Sequence, residues 1–264
     1  MVGMVVTDAS PALMTDHLKP QLDPNIPVLY STRMSPYCQR IRLILNAKKV
    51  AFQVVNVSIW SKPEWFVGMT PVNKLPVWHG PNGHVIYESV IIADYLEEIY
   101  CCRRYRRFLP VDPFQKAMQK LRVEHIMRLI EDPVRAVGMK QDLESGQALL
   151  DALSRVEELL MDNFFSGQEM GYVDLMIYPW FDRAPFYLKF VGIDWQEILD
   201  RVDRIMQWRE RMLSDMAVRL TSYPEECWVA LLEARRAKAM HADVALELQQ
   251  NFLNKHKYTP SDSP

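Results

Sequence analysis

Cysteine is scarce: the 264 residues hold four, at Cys38, Cys101, Cys102 and Cys227. So few in a chain this long do not make a disulfide scaffold, and reduced thiols in the cytoplasm are the default expectation. Zinc-ligand spacing is missing as well, because Cys101 and Cys102 are adjacent and the six histidines are scattered. The net charge is only −2, which gives no electrostatic case for nucleic acid or an anionic membrane surface. No apolar run approaches the roughly 20 residues that a bilayer span needs. The N-terminus, "MVGMVVTDASPALMTDHLKP", lacks a basic n-region, and its apolar run is short for a signal peptide. What is left is a metal-free globular chain, 49% hydrophobic and 24% charged, long enough for one large domain or two ordinary ones.

Residues 1–26 hold three prolines and show no clear period, and read as an arm on the surface. "PVLYST" (27–32) is a short apolar strand. "SPYCQRIRLILNAKKV" (35–50) has the helical period, with Tyr37, Ile41, Ile44 and Leu45 on one stripe and Arg40, Arg42, Lys48 and Lys49 expected in solvent. "AFQVVNVS" (51–58) is rich in β-branched residues and reads as a strand parallel to the first. "SKPEWFVGM" (61–69) reads as a short helical turn, and 74–89 as a hairpin around Pro-Asn-Gly. "SVIIADYLEEIY" (89–100) is a helix with Ser89 as the expected N-cap. The order β-α-β-α-β-β-α closes an α/β domain over 27–100.

"CCRRYRRFLPVDP" breaks the pattern with four arginines and two prolines. Residues 101–112 read as a linker, either solvated or a patch for an acidic partner. From 113 to 264 no strand pattern appears. Helical periods run through 114–139, 147–165, 173–191, 195–215 and 225–255, followed by a polar tail, "KYTPSDSP". The fold class is therefore an α/β domain followed by an all-α domain.

The turn "STRMSPYCQR" raises the chemical question. Ser is a preferred N-cap and Pro suits the first helical position, so Ser35-Pro36 can be purely structural. The same turn, after the first strand of a βαβ unit, exposes free N–H groups and a positive helix end where an anion is stabilised. A hydroxyl hydrogen bond to a thiolate contributes about 1.5–3 kcal/mol and the helix end about 0.3–1, which lowers a bound thiol's pKa by roughly one to three units. Cys38, one turn on, is either a small buried apolar residue or a thiol made reactive by the helix terminus.

Taken together, "SPYCQRIRLILNAKKV", "KPEWF", "NKLPVW", "YESVIIADYLEEIY", "LPVDPFQKA" and "YPWFDR" resemble an omega-class glutathione transferase, in family order across residues 27–222. The resemblance implies a thioredoxin-like domain followed by a helical domain, a homodimer, and glutathione as co-substrate. It puts Ser35 in the slot of the family's catalytic cysteine and implies glutathione contacts at Tyr37, Ile59, Lys62, Leu75, Pro76, Glu88 and Ser89. The Leu75–Pro76 bond is expected to be cis, Glu88 and Ser89 to hold the γ-glutamyl end, and Lys62 to neutralise a carboxylate. The second substrate is expected against Met34, Pro36, His125, Arg128, Trp180, Arg183, Tyr187 and Trp228, several of which also suit a helical core.

Three departures from the family pattern stand out. Ser35 removes the sulfur on which disulfide exchange and dehydroascorbate reduction depend. Gly171 stands before Asp174 where the fold usually has a Ser or Thr cap. The C-terminus extends through "ALLEARRAKAMHADVALELQQNFLNKHK", expected as an amphipathic helix over the substrate cleft or in a dimer contact. Three functions follow: a serine-type conjugating transferase acting on small electrophiles, a non-catalytic glutathione-binding module, or a redox enzyme working through Cys38.

Overall fold

The computed structural model describes residues 7–255. The elements are β1 (Val28–Ser31), α1 (Pro36–Ala47), β2 (Gln53–Asn56), β3 (Val77–His79), β4 (Val85–Tyr87) and α2 (Ser89–Ile99). The helices α3 (Pro113–Lys140), α4 (Leu143–Glu157), α5 (Tyr172–Phe190), α6 (Trp195–Leu213), α7 (Met216–Thr221), α8 (Glu225–Arg236) and α9 (Leu246–Lys255) follow. Among the described residues one four-stranded sheet forms, in the order β2-β1-β3-β4, with β1 and β2 parallel and the other neighbours antiparallel. A thioredoxin-like domain is thus followed by a helical one. The polar tail at 257–264 and the first six residues of the expected arm lie outside the described residues.

Both faces of the sheet are covered, which is why β1 reads as an unbroken apolar run. Leu29 and Trp78 point into the large core shared with the helices. Their alternating neighbours Val28, Tyr30, Val55 and Val77 pack on the other side against Phe66. The stretch 61–69 holds the expected helical turn, with the Phe66 and Val67 N–H groups on the Pro63 carbonyl at 3.0 and 3.2 Å, and it goes no further into a helix.

Helix α1 departs most from the amphipathic expectation. Every residue from Cys38 to Asn46 is buried, because α2, α5 and α7 all pack against this helix. Arg40, Arg42 and Lys48 are therefore not solvated; of the four cations expected in water, Lys49 is the exposed one. Lys48 Nζ lies 2.8 Å from Glu97 Oε1 and donates to the carbonyls of Tyr100 and Arg106. The Glu97 carboxylate also accepts the N–H groups of Phe108 and Leu109. The linker is consequently docked at its end, while the arginine side chains of Arg103, Arg104, Arg106 and Arg107 face water.

Residues 7–26 are not a simple surface arm. Leu13 bridges in parallel to Val57, and Asp8 and Ala12 are buried. Asp8 pairs with Arg42 at 2.8 Å, accepts the Tyr223 hydroxyl, and accepts Gln249 Nε2 at 2.7 Å. The single helix expected over 225–255 is two, because Lys238 (φ 54°) and Ala245 (φ 59°) both turn left-handed. Helix α9 then folds back over the N-terminal domain, where Gln249 accepts Arg33 Nε at 2.9 Å. Helix α4 starts earlier and ends sooner than its period indicated, capped by Asp142 on the Ser145 N–H. Helix α7, absent from the sequence reading, is capped by Asp215.

At Gly171 the missing cap is supplied from elsewhere. Ser166 Oγ accepts the Val173 N–H at 3.1 Å. A Cβ on residue 171 would stand 2.6 Å from the Ser166 Cβ, so glycine is the residue that admits this replacement. Asp174 accepts four N–H groups at 2.8–3.1 Å, from Phe165, Ser166, Gly171 and the Trp208 ring.

Candidate functional site

A cavity of about 700 Å³ opens between the two domains. The β1–α1 turn, the loop around residues 59–76 and the start of α2 wall it on one side. Glu131 of α3, Arg183 of α5, Leu231 and Arg235 of α8 and residues 240–244 wall it on the other.

The turn is built from both domains. Met34 takes a left-handed φ of 61°, uncommon for a residue with a side chain. Its N–H donates to the Tyr223 hydroxyl at 2.9 Å and its carbonyl accepts Arg183 Nη1 at 3.0 Å, so the helical domain holds both peptide faces in place. Ser35 follows as the N-cap of α1, accepting the Cys38 N–H at 3.4 Å, with Pro36 at the first helical position. That bond uses a lone pair, so the hydroxyl hydrogen can still be donated into the cavity, beside the Tyr37 N–H at the positive end of the helix.

A second helix end faces the same space. Glu88 (φ 67°), rather than Ser89, is the N-cap of α2, and no side chain caps the helix. Its first N–H groups are open to an anion. Ser89 Oγ accepts Arg40 Nη1 at 2.9 Å, which leaves the serine hydrogen free to donate. Arg40 itself is buried, with its guanidinium 4.6 Å over the Trp180 ring and its Nε on the Met176 carbonyl. Burial lowers its pKa to about 10, so it remains a cation at neutral pH behind Ser89. Sequence reasoning missed this residue because it presumed a solvated face on α1.

Tyr37, expected on the apolar stripe of α1, is instead 38% exposed over the cavity, because it stands at the open first turn of the helix. Its hydroxyl donates to Glu131, and its ring meets Trp180 edge-on at 5.3 Å. Burial, and then the bond to Glu131, push its phenol up to about 12. Ile59, Lys62, Leu75, Pro76, Glu88 and Ser89 line the same wall as Ser35 and Tyr37, and the Leu75–Pro76 peptide is cis.

Cys38 is apart from this space. It is fully buried beneath the turn, its Sγ accepting the Thr32 N–H at 3.4 Å, and burial pushes its thiol up. Of the residues expected to face a second substrate, Met34, Pro36 and Arg183 line the cavity. Trp180, Tyr187 and Trp228 are buried in the helical core, where Trp228 carries the Arg183 guanidinium 4.5 Å above its ring. His125 and Arg128 lie exposed on α3 outside the lining, with Arg128 on Glu124. Arg33, Trp60, Glu131, Arg235 and His241, none singled out from sequence, take part instead. Arg235 and His241 reach the cavity only because the chain turns back after α8. Among the described residues no helix is long and apolar enough to cross a membrane, and no group of three His, Cys, Asp or Glu side chains forms a metal site.

Comparison with known proteins agrees with this architecture. The family model for the N-terminal domain of glutathione S-transferases matches residues 34–99. The pig glutathione S-transferase omega-1 is 33% identical over 202 residues, 72% of this chain and 78% of that protein. The Drosophila melanogaster pyrimidodiazepine synthase is 32% identical over 193 residues, 72% of this chain and 78% of that protein. The solved glutathione transferase Omega 1C of Trametes versicolor shares the fold, with a TM-score of 0.68 at 20% identity, over 81% of this chain and 97% of that one. With a cavity that joins the N-termini of two helices between a thioredoxin-like and a helical domain, and with relatives of this closeness, the chain belongs to the omega-class glutathione transferases.

Proposed function

We propose that the enzyme holds the thiolate of bound glutathione on the Ser35 hydroxyl and the N-terminus of α1, and transfers it to a small electrophile. The observation that carries this reading is the convergence of Ser35, Tyr37, Ile59, Lys62, Leu75, Pro76, Glu88 and Ser89 on one cavity while Cys38 is sealed beneath it. The γ-glutamyl end sits at α2: its ammonium meets Glu88, and its carboxylate meets the open N–H groups and the Ser89 hydroxyl, with Arg40 behind. The Leu75 backbone meets the cysteinyl unit, and Lys62 meets the glycyl carboxylate. Ser35 then donates to the sulfur and the electrophile enters from the helical-domain side. Ser35 cannot form a mixed disulfide, so this reading predicts no thiol transfer or dehydroascorbate reduction through that position. A cytoplasmic, detoxifying homodimer is the form consistent with four free cysteines and with the class.

The test is conjugation of an aryl halide and disulfide exchange, measured side by side on wild type, Ser35→Ala and Ser35→Cys. Wild type should conjugate and fail to exchange. Ser35→Ala should lose about 10- to 100-fold in kcat/KM, the loss of one hydrogen bond to a charged group. Ser35→Cys should gain exchange. A wild-type rate no faster than free glutathione in solution would overturn the reading, and retention on immobilised glutathione without turnover would identify a binding module instead.

A further inference from the structure

We propose that the outer half of the cavity takes an electrophile carrying a carboxylate or a similar anionic group, recognised by Arg33, Arg183, Arg235 and His241; this rests on the reading that the inner half holds glutathione.

All four side chains belong to residues that line the cavity. Among the described residues, none of the three guanidiniums has a carboxylate partner. Arg33 donates to Gln249 Oε1 at 2.9 Å and to the Val244 carbonyl at 3.0 Å. Arg183 donates to the carbonyls of Pro179 and Met34 and to Gln39 Oε1, at 2.8, 3.0 and 3.1 Å. Arg235 donates to the Gly138 carbonyl at 3.1 Å. Every one of these acceptors is neutral. The acids nearby bond to other groups: Glu131 accepts Tyr37, Asp8 pairs with Arg42, and Asp182 accepts Gln39, faces Arg209 at 3.8 Å and acts on Arg183 only through space.

A buried cation is costly unless an anion compensates it. Arg33 is 7% exposed, and its Nη2 is buried with no hydrogen-bond partner among the described residues. Arg183 is 4% exposed. Arg33 and Arg235 carry no carboxylate beside them, Arg183 feels Asp182 only across the Gln39 amide, and an anion that arrives with the substrate matches that wall, a carboxylate fitting the planar donors. Leu231, Met240 and Val244 lie along the same wall, so the fitting molecule is a small ring or short alkyl body with an anionic end. Arg183 is bonded to the residue before Ser35, and Arg33 precedes that residue in the chain. The cationic wall therefore begins next to the sulfur and continues outward to Arg235, so it can meet an anionic group carried across one ring from the reacting carbon.

The test compares 4-chloro-3-nitrobenzoate with its neutral isostere 4-chloro-3-nitrobenzamide. In both, the glutathione thiolate forms the C–S bond at the ring carbon and chloride leaves with the C–Cl electron pair. After correction for the uncatalysed rates, kcat/KM should favour the benzoate about tenfold or more in wild type. That preference should fall about tenfold in Arg235→Gln and return in Arg235→Lys. A second arm measures binding of 3-nitrobenzoate and 3-nitrobenzamide by calorimetry, with and without saturating S-methylglutathione. The benzoate should bind at least about tenfold more tightly with the tripeptide site filled. Equal affinity for the two probes, or an Arg235→Gln change that affects both alike, would overturn the proposal. Turnover of the benzamide at an equal or better rate would overturn it too. Absence of turnover for either electrophile, with the binding preference intact, would overturn the conjugation reading and leave this one standing.

Discussion

Replacing Asp8 with alanine should destabilise the whole enzyme, although the residue lies in what reads as a loose arm. Its side chain is 3% exposed, and that of its partner Arg42 is 0% exposed. Removing the carboxylate leaves Arg42 with the hydroxyls of Ser31 and Tyr223 and no counter-charge. Breaking a buried pair from one side costs about 3–5 kcal/mol. For 264 residues, an unfolding entropy of about 2.1 cal/mol/K per residue gives about 0.55 kcal/mol/K, so Tm should fall by about 5–9 °C. Scanning calorimetry at fixed pH reads this directly. The double variant Asp8→Ala/Arg42→Met should recover most of the loss, because it leaves neither charge buried. Activity should fall as well, since Tyr223 bonds both Asp8 and the Met34 N–H. A single-variant shift under about 2 °C, or a double variant worse than the single, would refute the assignment of Arg42's compensation to Asp8.

Iodoacetamide at pH 8 should label exposed Cys101 and Cys102 only; Cys38, whose pKa burial raises, and Cys227, pushed up to about 12, stay protonated and covered. Intact-protein mass spectrometry should therefore count two adducts on the folded chain and four in denaturant, and a native adduct on Cys38 would contradict its burial. Asp174→Ala strands four N–H donors and should cost at least about 3 kcal/mol, read from the urea midpoint. Arg40→Met removes the bond to Ser89 while filling similar space; KM for glutathione should rise about tenfold with kcat little changed. An unchanged KM would show that Arg40 does not support the α2 end of the site.

The parts of this fold written in local chemistry were legible. Ser35-Pro36 starts α1, Pro-Asn-Gly turns the hairpin, and the unbroken apolar run of β1 fits a sheet covered on both faces. The burial of Arg40, Arg42 and Lys48 was not legible, because an amphipathic period assumes one covered face and α1 is covered all round. Their partners, Ser89, Asp8 and Glu97, lie 49, 34 and 49 residues away in the chain. The break between α8 and α9 falls on a lysine and an alanine in left-handed conformation, neither of which announces a helix end. The residues that the family resemblance named line one wall of the cavity together. The opposite wall depends on how the chain folds back after α8, so Arg235 and His241 could not be found by period or motif.

The bond between Asp8 and Gln249 spans 241 residues, and this sets a clock on synthesis. The residues that seat Arg33 and relay through Tyr223 to Met34 are not all present until α9 has been made. At roughly 5–20 residues per second, that is about 10–50 s after Asp8 leaves the ribosome. Through that interval the nascent chain carries the Ser35 turn while its supports have yet to be translated. The enzyme becomes competent near the end of its own synthesis, and a fragment that stops short of α9 carries Ser35 without the frame that aims it.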